Sequence, residues 1–150
     1  MKVITFLNYK GGISKTTLTR TFATKMAIDY GKKVLCLDLD ENCGLTASFG
    51  LVKDKGLSDM FYLLVDSETD PNERITPTDV EGVDIIRANR KLAQANKMMA
   101  DDTTGDQAGQ LRDQLKKIEK DYDYVVIDCP AAETIAVRAA IVASKEVIVP

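Results

Sequence analysis

Eight consecutive residues, Lys10-Gly11-Gly12-Ile13-Ser14-Lys15-Thr16-Thr17, have the composition to hold a chain of phosphates. A polyphosphate needs a concave backbone whose N–H groups point inward, and glycines let that backbone approach closely. A helix beginning at Lys15 adds unsatisfied amides and a partial positive charge. Lys15 then reaches the terminal phosphates, and the Thr16 hydroxyl is offered to Mg²⁺. The strict pattern G-x-x-x-x-G-K-[ST] is not met, because Tyr9 stands at the first glycine position and Ser14 at the second. The competing reading is a Gly-Gly turn ahead of a helix. It leaves Lys15 at a helix N-terminus, where a cation is unfavourable unless an anion sits there.

Carboxylates follow at two places. Asp38 and Asp40 close an apolar run and lie two residues apart. At the C-terminal end of a strand such a pair can face one small volume, which is where open α/β sheets bind ligands. The plainer alternative is a strand ending in solvated acids. Tyr124-Val125-Val126-Ile127-Asp128 is an apolar run closed by an acid, the form of a Walker B strand whose Asp holds Mg²⁺. Cys129 after it reads as a small packed hydrophobe. The chain has no histidine, so His-based triads, HExxH zinc sites and haem ligation by His are excluded.

The box KGGISKTT resembles the deviant Walker A box, KGGVGKTT, of the ParA/MinD family of ATPases. The run Asp38–Gly50, DLDENCGLTASFG, resembles that family's DxDPQGNATSGLG in register without a gap, with Glu41 for Pro and Asn42 for Gln. YDYVVIDCPA resembles YDYIIIDCPP, with Ala131 for the second Pro, and Glu146–Pro150 resembles the family's next strand. The resemblance covers nearly all of the chain, although residues 51–110 add little to it.

It implies a P-loop fold that binds ATP and Mg²⁺ and hydrolyses ATP slowly. Lys10, Gly11, Gly12, Ile13, Ser14, Lys15, Thr16 and Thr17 would bind the nucleotide. Thr16, Asp38 and Asp128 would hold Mg²⁺ and its waters, and Lys10, Lys15 and Asp40 would be catalytic. Asp40 would orient the attacking water, and Lys10 would touch phosphates across the interface of an ATP-bound homodimer. The resemblance further implies partitioning of plasmid or chromosomal DNA with a ParB-like activator. A cytoplasmic, nucleoid-associated location follows from it, with no membrane contact. Non-specific DNA would be met by the family's C-terminal portion, which has no counterpart here. The 150 residues are therefore expected to be the N-terminal part of a single P-loop domain, cut after Pro150. Two alternatives stand beside this reading. One is a MinD-like membrane-cycling ATPase; the other is a nucleotide-binding regulatory module without turnover, suggested by the side chain of Ser14 in the loop.

The rest of the sequence must position these groups. With 45% hydrophobic and 29% charged residues, the chain has the composition of a soluble globular domain, and collagen-like, mucin-like and wholly disordered readings are excluded. No window approaches the ~18 apolar residues of a membrane span, and the run Val3–Leu7 is too short for a signal-peptide core. Cys36, Cys43 and Cys129 are odd in number and widely spaced, as for reduced thiols in a cytoplasmic protein. The net charge of −3 hides a gradient, with the basic excess in residues 1–50.

Apolar periodicity predicts strands at Lys2–Asn8, Val34–Leu39, Val83–Ala88, Tyr124–Ile127 and Glu146–Val149. Helices are predicted at Lys15–Tyr30, Leu57–Val65, Lys91–Ala100, Gly105–Asp121 and Thr134–Ala143. In the first, Leu18, Phe22, Met26 and Ala23, Ala27, Tyr30 recur at spacings of three and four, and Gly31 is its stop signal. Thr104 and Gln107 form a candidate capping box, and Asp66–Glu81, with two prolines, reads as a surface loop. Strands alternating with helices imply an α/β fold, a doubly wound and mostly parallel sheet with helices on both faces.

Overall fold

The computed structural model describes residues 1–51, 59–102 and 106–150. Among them are six strands: β1 (Lys2–Phe6), β2 (Val34–Asp38), β3 (Ile75–Pro77), β4 (Val83–Ile86), β5 (Tyr124–Asp128) and β6 (Glu146–Ile148). The helices are α1 (Lys15–Tyr30), α2 (Gly44–Ser48), α3 (Asp59–Val65), α4 (Leu92–Asp101), α5 (Gln107–Lys116) and α6 (Ile135–Ala143). The sheet order is β3-β4-β2-β5-β1-β6, and every pairing is parallel except β3 with β4. This is the doubly wound α/β sheet that the alternation of elements predicts.

Strand alternation divides the core in two. Val3 and Leu7 of the first segment, Leu35 and Leu37 of β2, and Val125 and Ile127 of β5 point to one face, where α3 to α6 cover them. Ile4, Phe6, Val34, Cys36 and Val126 point to the other, against α1 and α2. Strands buried on both faces read as continuous apolar runs, which is why the sequence shows no polar alternation in them. Leu35 and Leu37 have no exposed surface; truncating either to Ala would cost about 2–5 kcal/mol.

Several expectations need correction. Asp66–Glu81 is not wholly loop. It contains a 3-10 turn (Pro71–Arg74), capped by Asp70 accepting from Asn72 N, and then the short edge strand β3. Pro77 ends that edge strand, a position where its missing N–H is tolerated. The short helix α2 also escaped periodicity, being barely one turn long. In α1 the buried face is Lys15, Thr19, Ala23 and Ala27, while Leu18 is 41% and Tyr30 63% exposed. Small residues on that stripe let the helix lie close to the sheet, and Phe22 and Met26 pack at its margin. Gly31 ends α1 in the left-handed conformation (φ 61°), as expected of a helix stop. The α5 helix is capped by Asp106, whose side chain accepts from Gly109 N. Thr104 of the candidate capping box lies outside the described residues, as do Leu57 and Ser58 of the helix expected from Leu57.

Candidate active site

The loop between β1 and α1 opens with Asn8, whose side-chain oxygen accepts from Lys10 N at 2.9 Å. Gly12 (φ 74°) and Ser14 (φ 64°) both take the left-handed conformation. These turns expose Lys10, Gly11, Gly12, Ser14 and Thr17, leave Ile13 half-buried, and bring the chain round into α1. Ser14 is the N-cap of α1 but its hydroxyl makes no capping bond, and the first turn contains no acid. The amides and dipole of a 16-residue helix are thus left for a ligand. Lys15 is only 8% exposed, and its Nζ reaches back to the Lys10 carbonyl at 3.5 Å. Burying an ammonium on one long hydrogen bond is costly, a cost that phosphate oxygens would offset.

Asp38 and Asp128 end neighbouring parallel strands in direct register. Their environments differ. Asp38 has no exposed surface; its Oδ2 accepts from Thr46 N (2.8 Å) and Thr46 Oγ1 (2.7 Å), and its Oδ1 accepts from Asp40 N (3.1 Å). Burial pushes its carboxyl up to about 6, against the lowering effect of the Thr46 bonds. Asp128 Oδ2 accepts from Thr16 Oγ1 at 2.6 Å, while its buried Oδ1 has no partner among the described residues. Burial pushes Asp128 to about 7; the Thr16 bond opposes this, and the charges of Asp38 and Asp40 add to it. Asp40, half-buried, turns its Oδ1 onto Asn42, accepting from both N and Nδ2 at 2.9 Å.

An unpartnered carboxylate oxygen beside a threonine hydroxyl fits Mg²⁺. The ion is held by one or two carboxylates plus phosphate oxygens and waters rather than by an all-protein cage.

The structure brings buried Lys15, Asp38 and Asp128 together with half-buried Thr16 into one cluster and places Asp40 at its rim. Lys10 stands apart on the exposed loop. Periodicity and motif reading passed over Thr46, which satisfies Asp38 and whose Oγ1 also accepts from Ala88 N at 3.2 Å. Its signal lay in the register of the Asp38–Gly50 segment, where a Thr stands at the same place. Asn8 was passed over as well. Cys43 holds φ 59° at a position where the family segment has glycine. Among the described residues, the two non-glycine residues with positive φ, Ser14 and Cys43, are thus both at glycine positions of the motifs they resemble. Cys36 and Cys129 are buried thiols raised well above the ordinary range by burial, which makes them inert packing residues.

A family model described as an AAA domain matches residues 1–150. The chain is 32% identical over 149 residues to the sporulation initiation inhibitor protein Soj of Bacillus subtilis, covering 99% of this chain and 57% of that protein. It is 31% identical over 152 residues to a ParA family protein of Chlamydia trachomatis, covering 99% and 58%. The crystal structure of cobyrinic acid a,c-diamide synthase from Mycobacterium smegmatis with bound ATP analog and magnesium superposes with a TM-score of 0.91 at 31% identity, over 100% of this chain and 59% of that one. The chain thus spans little more than half the length of these relatives. With a family match along all 150 residues and relatives of the ParA type, the chain belongs to the ParA family of P-loop ATPases.

Proposed function

We propose that this chain carries the nucleotide machinery of a partition ATPase, which binds Mg-ATP, dimerises on it and hydrolyses it slowly while moving plasmid or chromosomal DNA. The observation that carries the reading is the Thr16–Asp128 bond with its unpartnered Asp128 Oδ1. The amides from Gly11 to Thr17 would bind the phosphate chain, and Lys15 would neutralise its terminal charge. Thr16 and Asp128 would hold Mg²⁺; Asp38, with both oxygens already engaged, would act from behind them. Mg²⁺ held there would supply charge neutralisation for the phosphates. Asp40, at the rim, would orient the attacking water, and Lys10 would reach the partner subunit's nucleotide. Phosphoryl transfer needs positioning and charge neutralisation above all, which these residues can supply without histidine.

Family membership supports the wider role: a ParB-like activator, non-specific DNA bound through residues beyond this chain, and a cytoplasmic, nucleoid-associated location. Among the described residues no helix is long and apolar enough to cross a membrane. The test is sedimentation of the full-length protein with ATP, in the presence of DNA or of anionic liposomes, for wild type and Lys15→Ala. ATP-dependent, salt-sensitive co-sedimentation with DNA that Lys15→Ala abolishes is expected. Sedimentation with liposomes alone would sink the partition reading in favour of membrane cycling. ATP binding by Lys15→Ala at wild-type affinity would remove the phosphate-loop assignment itself.

A further inference from the structure

The loop that follows Asp128 is fixed at both ends by hydrogen bonds from elsewhere in the fold. At its near end the Asp128 carbonyl accepts from Leu39 N at 3.0 Å. At its far end α6 begins, and its first amides are satisfied twice. Thr134 Oγ1 accepts from Val137 N at 3.2 Å, and Asn96 Oδ1 accepts from Ala136 N at 3.0 Å. The first is an ordinary local cap. The second crosses from α4, 40 residues away in sequence. Asn96 Nδ2 donates to Leu92 O at 3.3 Å within its own helix, which leaves the amide oxygen facing Ala136.

Between these anchors lie Cys129 to Glu133. Pro130, Ala131 and Ala132 line a cavity of about 290 Å³ together with Asp40, Glu41 and Asn96. One wall of that cavity is therefore the loop leaving the Mg²⁺ aspartate, another holds the residue proposed to orient water, and α4 forms the third. Pro130, Ala131 and Ala132 carry no polar side chain to hold the middle of the loop, and Glu133 at its far end accepts from Arg138 Nη2 of α6 at 3.0 Å. Its geometry is set by the ends, and the far end depends on a helix start that α4 reaches across to cap.

We propose that Asn96 is a positioning residue, whose side-chain oxygen caps α6 from α4 and thereby holds the Cys129–Glu133 loop in the shape that hydrolysis beside Asp40 requires. The inference rests on the ATPase reading for its kinetic consequence but not for its structural one. It assigns α4 a place in catalysis although none of its residues belongs to the nucleotide motifs.

The test compares Asn96→Ala and Asn96→Leu, which remove the acceptor, with Asn96→Asp, which keeps it and places a negative charge suited to a helix N-terminus. In the full-length protein, the Ala and Leu variants should bind ATP with wild-type affinity but lose about tenfold or more in kcat, since small displacements of a catalytic loop are costly. Asn96→Asp should restore kcat. Amide exchange in the presence of a non-hydrolysable ATP analogue should be faster at Ala131–Ala136 in Ala and Leu than in wild type, and normal in Asp. Wild-type kcat and exchange in Asn96→Ala would overturn the inference, as would an Asp variant as impaired as Ala. Absence of turnover in the wild type would instead defeat the ATPase reading, and the exchange comparison would still decide the role of Asn96.

Discussion

Thr16 Oγ1 donates to Asp128 Oδ2 across 2.6 Å, tying the first turn of α1 to the end of β5, 112 residues later. This bond joins the second residue of α1 to the residue that closes β5. It orients one carboxylate oxygen and leaves the other buried without a partner among the described residues.

Asp128→Asn should separate stability from function. Removing a buried charge that burial disfavours more than the Thr16 bond and the Lys15 charge favour it should raise the unfolding midpoint of the nucleotide-free protein, because ionised carboxylates are costly in such surroundings. The same change should abolish the tightening of ATP binding by Mg²⁺, read by titration calorimetry with and without the ion. An unchanged Mg²⁺ effect would show that Asp128 is not a ligand.

The raised carboxyls also fix a pH dependence. Asp128, at about 7, and Asp38, at about 6, bind protons more tightly when folded than when unfolded. Their contribution to stability is therefore complete below the unfolded value near ~4, and is lost as pH rises toward about 7. Urea midpoints of wild type and Asp128→Asn, without nucleotide, should diverge over this range, the wild type losing on the order of 2–4 kcal/mol relative to the variant. Mg-ATP, which binds the ionised form, should close the gap. Parallel pH profiles would contradict the buried, under-compensated state of Asp128.

Most of this site was legible before any coordinates. The apolar runs ending in Asp38 and Asp128 mark buried parallel strands, and Lys15 at a helix start signals an anion. What the sequence hid was conformational or long-range. β3 is three residues on an edge, too short for a period-2 pattern to show. The recurrence of apolar residues marks α1 as a helix but not which stripe it buries, because close helix–sheet contact favours the small residues Thr19, Ala23 and Ala27 over Leu18 and Tyr30. The bonds of Thr46 and Asn96 depend on the approach of separate elements, which no local pattern encodes.

Ser14 at φ 64° carries strain that glycine would not, since a Cβ in the left-handed region costs roughly 1–2 kcal/mol. Ser14→Gly should relieve it, partly offset by the greater freedom of glycine in the unfolded chain. The expected net effect is a small gain in stability together with tighter ATP binding, as the loop loses a side chain next to the phosphates. Ser14→Ala keeps the Cβ and should give neither benefit. If Ala tightens binding as much as Gly, the hydroxyl rather than the backbone is what limits affinity.

Thr46 offers the most direct test of how Asp38 is held. Its amide and hydroxyl both donate to Asp38 Oδ2, and its hydroxyl accepts from Ala88 N. Thr46→Val keeps the shape but removes the hydroxyl, so one carboxylate bond is lost and the buried Ala88 amide is left unpaired. Hydrogen bonds to charged groups contribute about 1.5–3 kcal/mol, and orphaning a buried donor costs about 1–3 kcal/mol more. The combined destabilisation should exceed that of an ordinary Thr→Val change, and Thr46→Ser should recover most of it. Because Asp38 Oδ1 holds Asp40 N, the Val variant should also release the loop that carries Asp40. Turnover should then fall further than ATP affinity. Equal losses in both would mean that Thr46 supports the fold alone and that Asp40 is positioned independently of Asp38.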